Sequence, residues 1–404
     1  MTSTESLAAT VPVPAKVALA EQGRWRLARW ATRAQFGALG VLAGAWGVHI
    51  PSVKSQYGLD EGLLALVLLA ASLGAVASLL VAGRFVAWLG ARRAAQCCAV
   101  AMGLMLALAL SWPSLAWLLA SMLLFGAAMS LFDVAINTEG SALETLAGRP
   151  IMGNLHGSFS VGGIVGSLLT AALLRAGVPA TWQLLAVGAA VALWVGLSAR
   201  GMLDTHPEDG SADGVRARFA WPRGPLLVLG LLIFAGMCAE GAMYDWGVLY
   251  LKQELGLPQE QAAMGYAAFS AAMALARFGG DGLRRHFTER SLLRWGGGLS
   301  ATAMAVLLLS GHPVVALLGY ALIGAGLAMV VPLLYNAATR VPGSTRAAAI
   351  AAVSSIGYSG FLLGPPLIGA LARSWSLPAA MGVVVLASAV LAWGARHVPQ
   401  PPRA

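Results

Sequence analysis

Twelve stretches of this chain are long and apolar enough to cross a bilayer: 34–53, 62–83, 94–111, 115–138, 153–174, 179–199, 225–251, 261–280, 292–311, 313–338, 347–372 and 376–395. A spanning helix needs about 20 mainly apolar residues. Backbone in hydrocarbon must satisfy its own hydrogen bonds, which leaves helices and closed barrels. The alternating pattern of barrel strands is missing, so the segments read as helices and the chain as an all-α membrane protein. Only 11% of its residues are charged, against about 25% in soluble domains, too few to cover a surface in water. The 49 glycines suit close helix packing. Gly40/Gly44, Gly162/Gly166 and Gly360/Gly364 have small-xxx-small spacing.

A net charge of +9 invites a nucleic-acid reading, but the placement of the charges argues against a nucleic-acid partner. With twelve spans, Lys54, Arg175, Lys252 and Arg373 face one side, and the other 22 of the 26 Lys and Arg face the opposite one. That bias is the positive-inside rule. It puts both termini in the cytoplasm and sets the basic loops against anionic lipid. Cys97, Cys98 and Cys238 fall inside spans without metal-ligand spacing and read as small core residues. The polar start does not resemble a signal peptide. GRWRLARWATR (23–33) reads as a short basic interfacial helix on the inner leaflet.

The polar stretch 200–224 separates six spans from six and reads as a linker. The halves carry a weak repeat. KSQYGL (54–59) matches KQELGL (252–257), and GRFVAWLGARR (83–93) falls near GDGLRRHFTER (280–290) at a similar offset, both basic turns after the second span of a half. Parallel six-helix repeats are one plan of secondary transporters. Span number, linker, repeat and basic turns together resemble the major facilitator superfamily, over roughly 33–396. The resemblance implies twelve transmembrane helices in two pseudo-symmetric six-helix bundles, at 33–199 and 225–396. The cytoplasmic tails would be 1–32 and 397–404, in a bacterial inner membrane. The family signature between spans two and three is met by Gly83, Gly90, Arg92 and Arg93, while Ala87 and Trp88 replace its aspartate and first arginine. In the family that aspartate latches the cytoplasmic side, a role that Asp281 with Arg284 and Arg285 would share here. The stretch 133–163 also resembles a branch of bacterial permeases distantly similar to fucose permease.

Ionisable groups at membrane depth are costly and normally face a cavity or a partner. Asp133, Asn137, Ser141 and Glu144 fall within about 80° on a helix, a polar seam along span four that Glu139 does not join. Glu144 would lie near Arg149 and His156, either as a cytoplasmic gate or as a helix end tied to its loop. In span seven, Glu240 lies ~23 Å along the helix, with Tyr244 on its face. Asp245 would share that cavity only if the helix breaks at Gly241 or Gly247, and otherwise lies at the extracellular mouth. In span one, Trp46 is a candidate cavity residue and His49 either a proton relay or a structural histidine, with Pro51 closing the helix. Arg277 and Asp281 read as a gate pair or as an i, i+4 pair. Asn336, after Pro332 and Tyr335, reads as substrate contact or as a cap. Ser355 and Tyr358 line span eleven.

No P-loop, HExxH or GxSxG motif is present, so neither ATP coupling nor an enzyme is expected, nor any cofactor or metal. A gradient must then drive transport, with the proton as expected coupling ion and Na+ left open. Asp133, Glu240, Asp245 and His49 are the coupling candidates. The span-five proline and span-four arginine that drug antiporters of the family carry are missing, which favours symport of a polar solute by a monomer. Efflux antiport and a non-transporting receptor are the alternatives.

Overall fold

A computed structural model of the chain describes residues 15–147, 151–203, 223–342 and 346–399. The helices are α1 (Ala15–Gln56), α2 (Glu61–Leu89), α3 (Ala91–Leu108), α4 (Leu115–Ala147), α5 (Met152–Arg175) and α6 (Ala180–Ser198), then α7 (Pro225–Gln253), α8 (Gln259–His286), α9 (Glu289–Ser310), α10 (Pro313–Leu327), α11 (Val330–Ala338), α12 (Arg346–Ser374) and α13 (Leu377–Gly394). Eleven segments among the described residues are long and apolar enough to cross a membrane, with α10 and α11 forming one pass. Helix α8 is long enough but carries Glu260, Arg277, Arg284 and Arg285, and it makes the twelfth pass. Exposed tryptophans mark both rims: Trp30, Trp88, Trp295 and Trp393 on one, Trp117, Trp182 and Trp375 on the other. Indole rings favour such interfaces.

Two expectations about span one are corrected. The basic segment 23–33 is not a separate interfacial helix but the beginning of α1. Ala28 and Thr32 are buried, and the Trp25 indole donates to the Leu143 carbonyl at 3.3 Å. Burial of this one face against α4 outweighs the exposed arginines. Nor does Pro51 close the helix; α1 runs on to Gln56.

Glycines bring the helices of each half together. A Cβ on Gly40 would run into the Phe159 carbonyl, and one on Gly162 into that of Gly37, so α1 and α5 touch backbone to backbone. Helices α2 and α4, α3 and α6, α7 and α12, and α9 and α13 also pair, while α5 packs on α8 and α2 on α12 across the halves.

Prolines free carbonyls at two places that matter later. A proline has no N–H for the carbonyl four residues earlier. Pro332, in the first turn of α11, releases the carbonyl of Ala328, where the tenth pass breaks into α10 and α11. Pro365, inside α12, releases that of Phe361, to which Ser72 of α2 donates at 3.5 Å.

Candidate functional site

Asp133 lies near the middle of α4 and is half-buried. Asn137, one turn on, donates its amide to the Asp133 carboxylate at 3.0 Å and to its carbonyl at 2.8 Å. Tyr358 of α12 lies within electrostatic reach of Asp133 and hydrogen-bonds Tyr335 of α11, whose hydroxyl also accepts from Ser354 at 3.0 Å. The two halves therefore face each other across these groups. Ser355, one residue away, is exposed. The seam breaks down at its far end. Glu144 accepts the backbone N–H groups of Ile151 and Met152 at 2.7 and 3.0 Å and so caps α5, the second of its two readings. Arg149 lies outside the described residues. His156 stands edge-on to Phe36 at 5.1 Å and in electrostatic reach of Arg277, not in a cluster with Glu144.

Helix α7 is continuous through Gly241 and Gly247, so the condition for its two acids to share one face is not met. Glu240 and Asp245 consequently point about 140° apart. Glu240 pairs with Arg277 of α8 at 3.4 Å, and the Arg277 Nε donates to the freed Ala328 carbonyl at 3.3 Å. Arg277 is thus a clamp on α7 and the α10–α11 break. The side chain of Asp281 lies outside the described residues. Tyr244 contacts Tyr266 at 5.2 Å and Phe269 at 5.1 Å. Asp245 is half-buried and, among the described residues, has no hydrogen-bond or ion-pair partner. Tyr266 lies in electrostatic reach of both acids.

His49 does not join them. It is fully buried, with Nδ1 3.2 Å from the Ser52 hydroxyl and Nε2 3.3 Å from the Gln183 Oε1. Gln259 of α8 donates to Ser52 at 2.8 Å and to the Val48 carbonyl at 2.7 Å, and accepts from Lys252 at 2.8 Å. This chain of bonds ties α6, α1, α8 and α7 together at the end bearing Lys54 and Lys252. Asp60 and Arg373 add a long ion pair there at 3.8 Å. Trp46 is buried against Phe125 at 5.8 Å and belongs to the core.

The sequence model of the Major Facilitator Superfamily matches residues 34–343. The chain belongs to that superfamily. It is 33% identical over 369 residues to an uncharacterized MFS-type transporter of Yersinia pestis, covering 91% of this chain and 94% of that one. It is 30% identical to membrane protein MosC of Rhizobium meliloti, over 89% of this chain and 87% of that one. Among solved structures, nucleoside transporter NupG shares the fold with a TM-score of 0.70 at 15% identity, over 92% and 98% of the two chains. An outward-facing FucP gives 0.64 at 16%, over 94% and 100%. The protein is therefore a multi-pass transporter of the superfamily.

Its superfamily motif keeps only part of its structural content. Gly90 has φ +77°, links α2 to α3 and needs to be glycine. Gly83 has open space around it, and Arg93 is exposed. Arg92 donates to the Met202 carbonyl at 2.5 Å, and the buried Glu139 accepts the Leu203 N–H at 2.8 Å, so both fasten the end of the first half. The second half does likewise. Arg290 donates to the Val398 carbonyl at 2.8 Å and Arg340 to that of Pro399 at 3.1 Å. Arg340 also pairs with Glu289, as does Arg284 at 3.6 Å. Asn336 donates to Glu289 at 2.8 Å, so it is part of this cluster. Sequence reasoning missed Glu139, Glu289, Arg340 and Gln259. A span-edge charge shows in a sequence, but its partner on another helix does not.

Proposed function

We propose that this transporter moves a small polar solute by alternating access and couples the movement to protons through Asp133 and Asp245. The observation that carries the reading is that both carboxylates sit within their passes, half-buried and without a cationic partner among the described residues, while Glu240 has Arg277. A charge at that depth is costly, and binding a proton or solute relieves it. Glu240 and Arg277 are then the groups that position α7, and His49 is part of the outer closure. Polar contacts between the halves gather at the Lys54 and Lys252 end, which fits an inward-open form with its termini in the cytoplasm of a bacterial inner membrane. The site forms within one chain, so a monomer suffices. Asn137, Tyr244 and Tyr358 offer amide and hydroxyl groups for a neutral solute such as a sugar or a nucleoside.

The test is uptake into proteoliposomes under an imposed pH gradient, with the solute first chosen by thermal shift across sugars, nucleosides, organic acids and lipophilic cations. Asp133→Asn and Asp245→Asn are expected to abolish gradient-driven accumulation while sparing solute exchange. Unchanged pH-dependent accumulation in both variants would sink the reading. A shift with lipophilic cations alone would make the protein an efflux antiporter, and acceleration by Na+ in place of H+ would change the coupling ion.

A further inference from the structure

A cleft of about 500 Å³ opens between the start of α9 and the end of α13, lined by Arg290, Arg294, Arg396, Trp295 and Trp393 among others. The three arginines are exposed, and none has a carboxylate partner among the described residues. The acid beside them among the described residues, Glu289, is turned away to Arg340, Arg284 and Asn336. Arg396 stacks 3.7 Å above the Trp393 ring, and a stacked guanidinium keeps its in-plane N–H groups available. Arg290 uses only its Nε, on the Val398 carbonyl, so its two terminal nitrogens remain. Three planar donors thus converge on one opening with no negative charge among the described residues to balance them.

We propose that this cleft binds the phosphodiester headgroup of an anionic phospholipid. A phosphate accepts bidentate hydrogen bonds from such forks, and basic pockets between transmembrane helices on the cytoplasmic side are suited to anionic headgroups. The apolar surface beyond the cleft selects a lipid over a free phosphate. Trp295, Leu299 and Val306 share an exposed face of α9, and Trp393, Val390 and Leu386 one of α13. These faces lead away from the arginines into the depth of the membrane, where acyl chains lie. In the first half, arginines also gather (Arg24 of α1, Arg92 of α3 and Arg200 just after α6), around a smaller cleft of about 130 Å³.

The full chain, delipidated in detergent, is titrated with phosphatidylglycerol, phosphatidylcholine and inorganic phosphate, following melting temperature and lipid retention by native mass spectrometry. Phosphatidylglycerol is expected to raise the melting temperature and to stay bound, unlike the other two. Replacing Arg294 and Arg396 together by Gln is expected to weaken its binding about 30-fold, and replacing both by Lys to restore most of it. Retention unaltered by the Gln pair would overturn the proposal even if that variant melts lower. An equal shift with phosphatidylcholine would overturn it too, as would an equal shift with inorganic phosphate, which would mark a soluble-anion site.

Discussion

At the scale of single residues, the three deep acids differ in what surrounds them. Glu240→Gln removes the partner of Arg277, whose guanidinium is left with a carbonyl and a half-buried charge. An unsatisfied buried group costs about 1–3 kcal/mol, so this variant is expected to melt well below the parent, while Asp245→Asn, which loses no partner, is expected to melt at or above it. Adding Arg277→Gln to Glu240→Gln should recover part of the loss. Calorimetry of these proteins and of Arg277→Gln alone, in one detergent, reads this, and additive effects of the Glu240 and Arg277 substitutions would disprove the pairing. Asp133, Glu240 and Asp245 were visible in the sequence as charges in apolar runs. Their environments were not, because Arg277 lies on another helix and its second acceptor exists only because Pro332 has no N–H. His49 shows the same limit: a buried imidazole looks alike as relay or as link until Ser52 and Gln183 are seen on its two nitrogens.

At the scale of elements, hydropathy located every pass, since twenty apolar residues have few alternatives. It misjudged ends and continuity. The arginines of 23–33 hid a buried face, and the glycines of α7 left a regular and a broken helix equally open, of which the regular one forms. The break that does occur, between α10 and α11, follows from one side chain. Pro332→Ala restores the missing donor, lets the Ala328 carbonyl re-enter the helix and takes it from Arg277. The variant is expected to melt higher, since proline costs about 3 kcal/mol in a helix interior and less in a first turn, and to transport several-fold more slowly. Unchanged transport would show that the break is incidental to the cycle.

At the scale of the whole molecule, the halves meet through glycine-lined helix faces and a few polar contacts at one end. Gln259 supplies two of those contacts, each worth about 0.5–1.5 kcal/mol. Gln259→Ala is expected to move the population towards an outward-open form by about 5- to 100-fold. Spin labels on the exposed positions Gln56 and Gln253, in a background with Cys97 replaced, would read it as a new, longer distance. A distribution identical to the parent's would mean that the apolar contacts alone hold that end shut.

The arginines that grip Met202 in one half and Val398 in the other carry a consequence for how the chain is put together. Each half finishes by fastening its own last residues to its own helices, so neither relies on the other to complete its end. A gene split anywhere between codons 204 and 222 would encode two fragments that each finish themselves, and the cell would need only to bring the two together in one membrane.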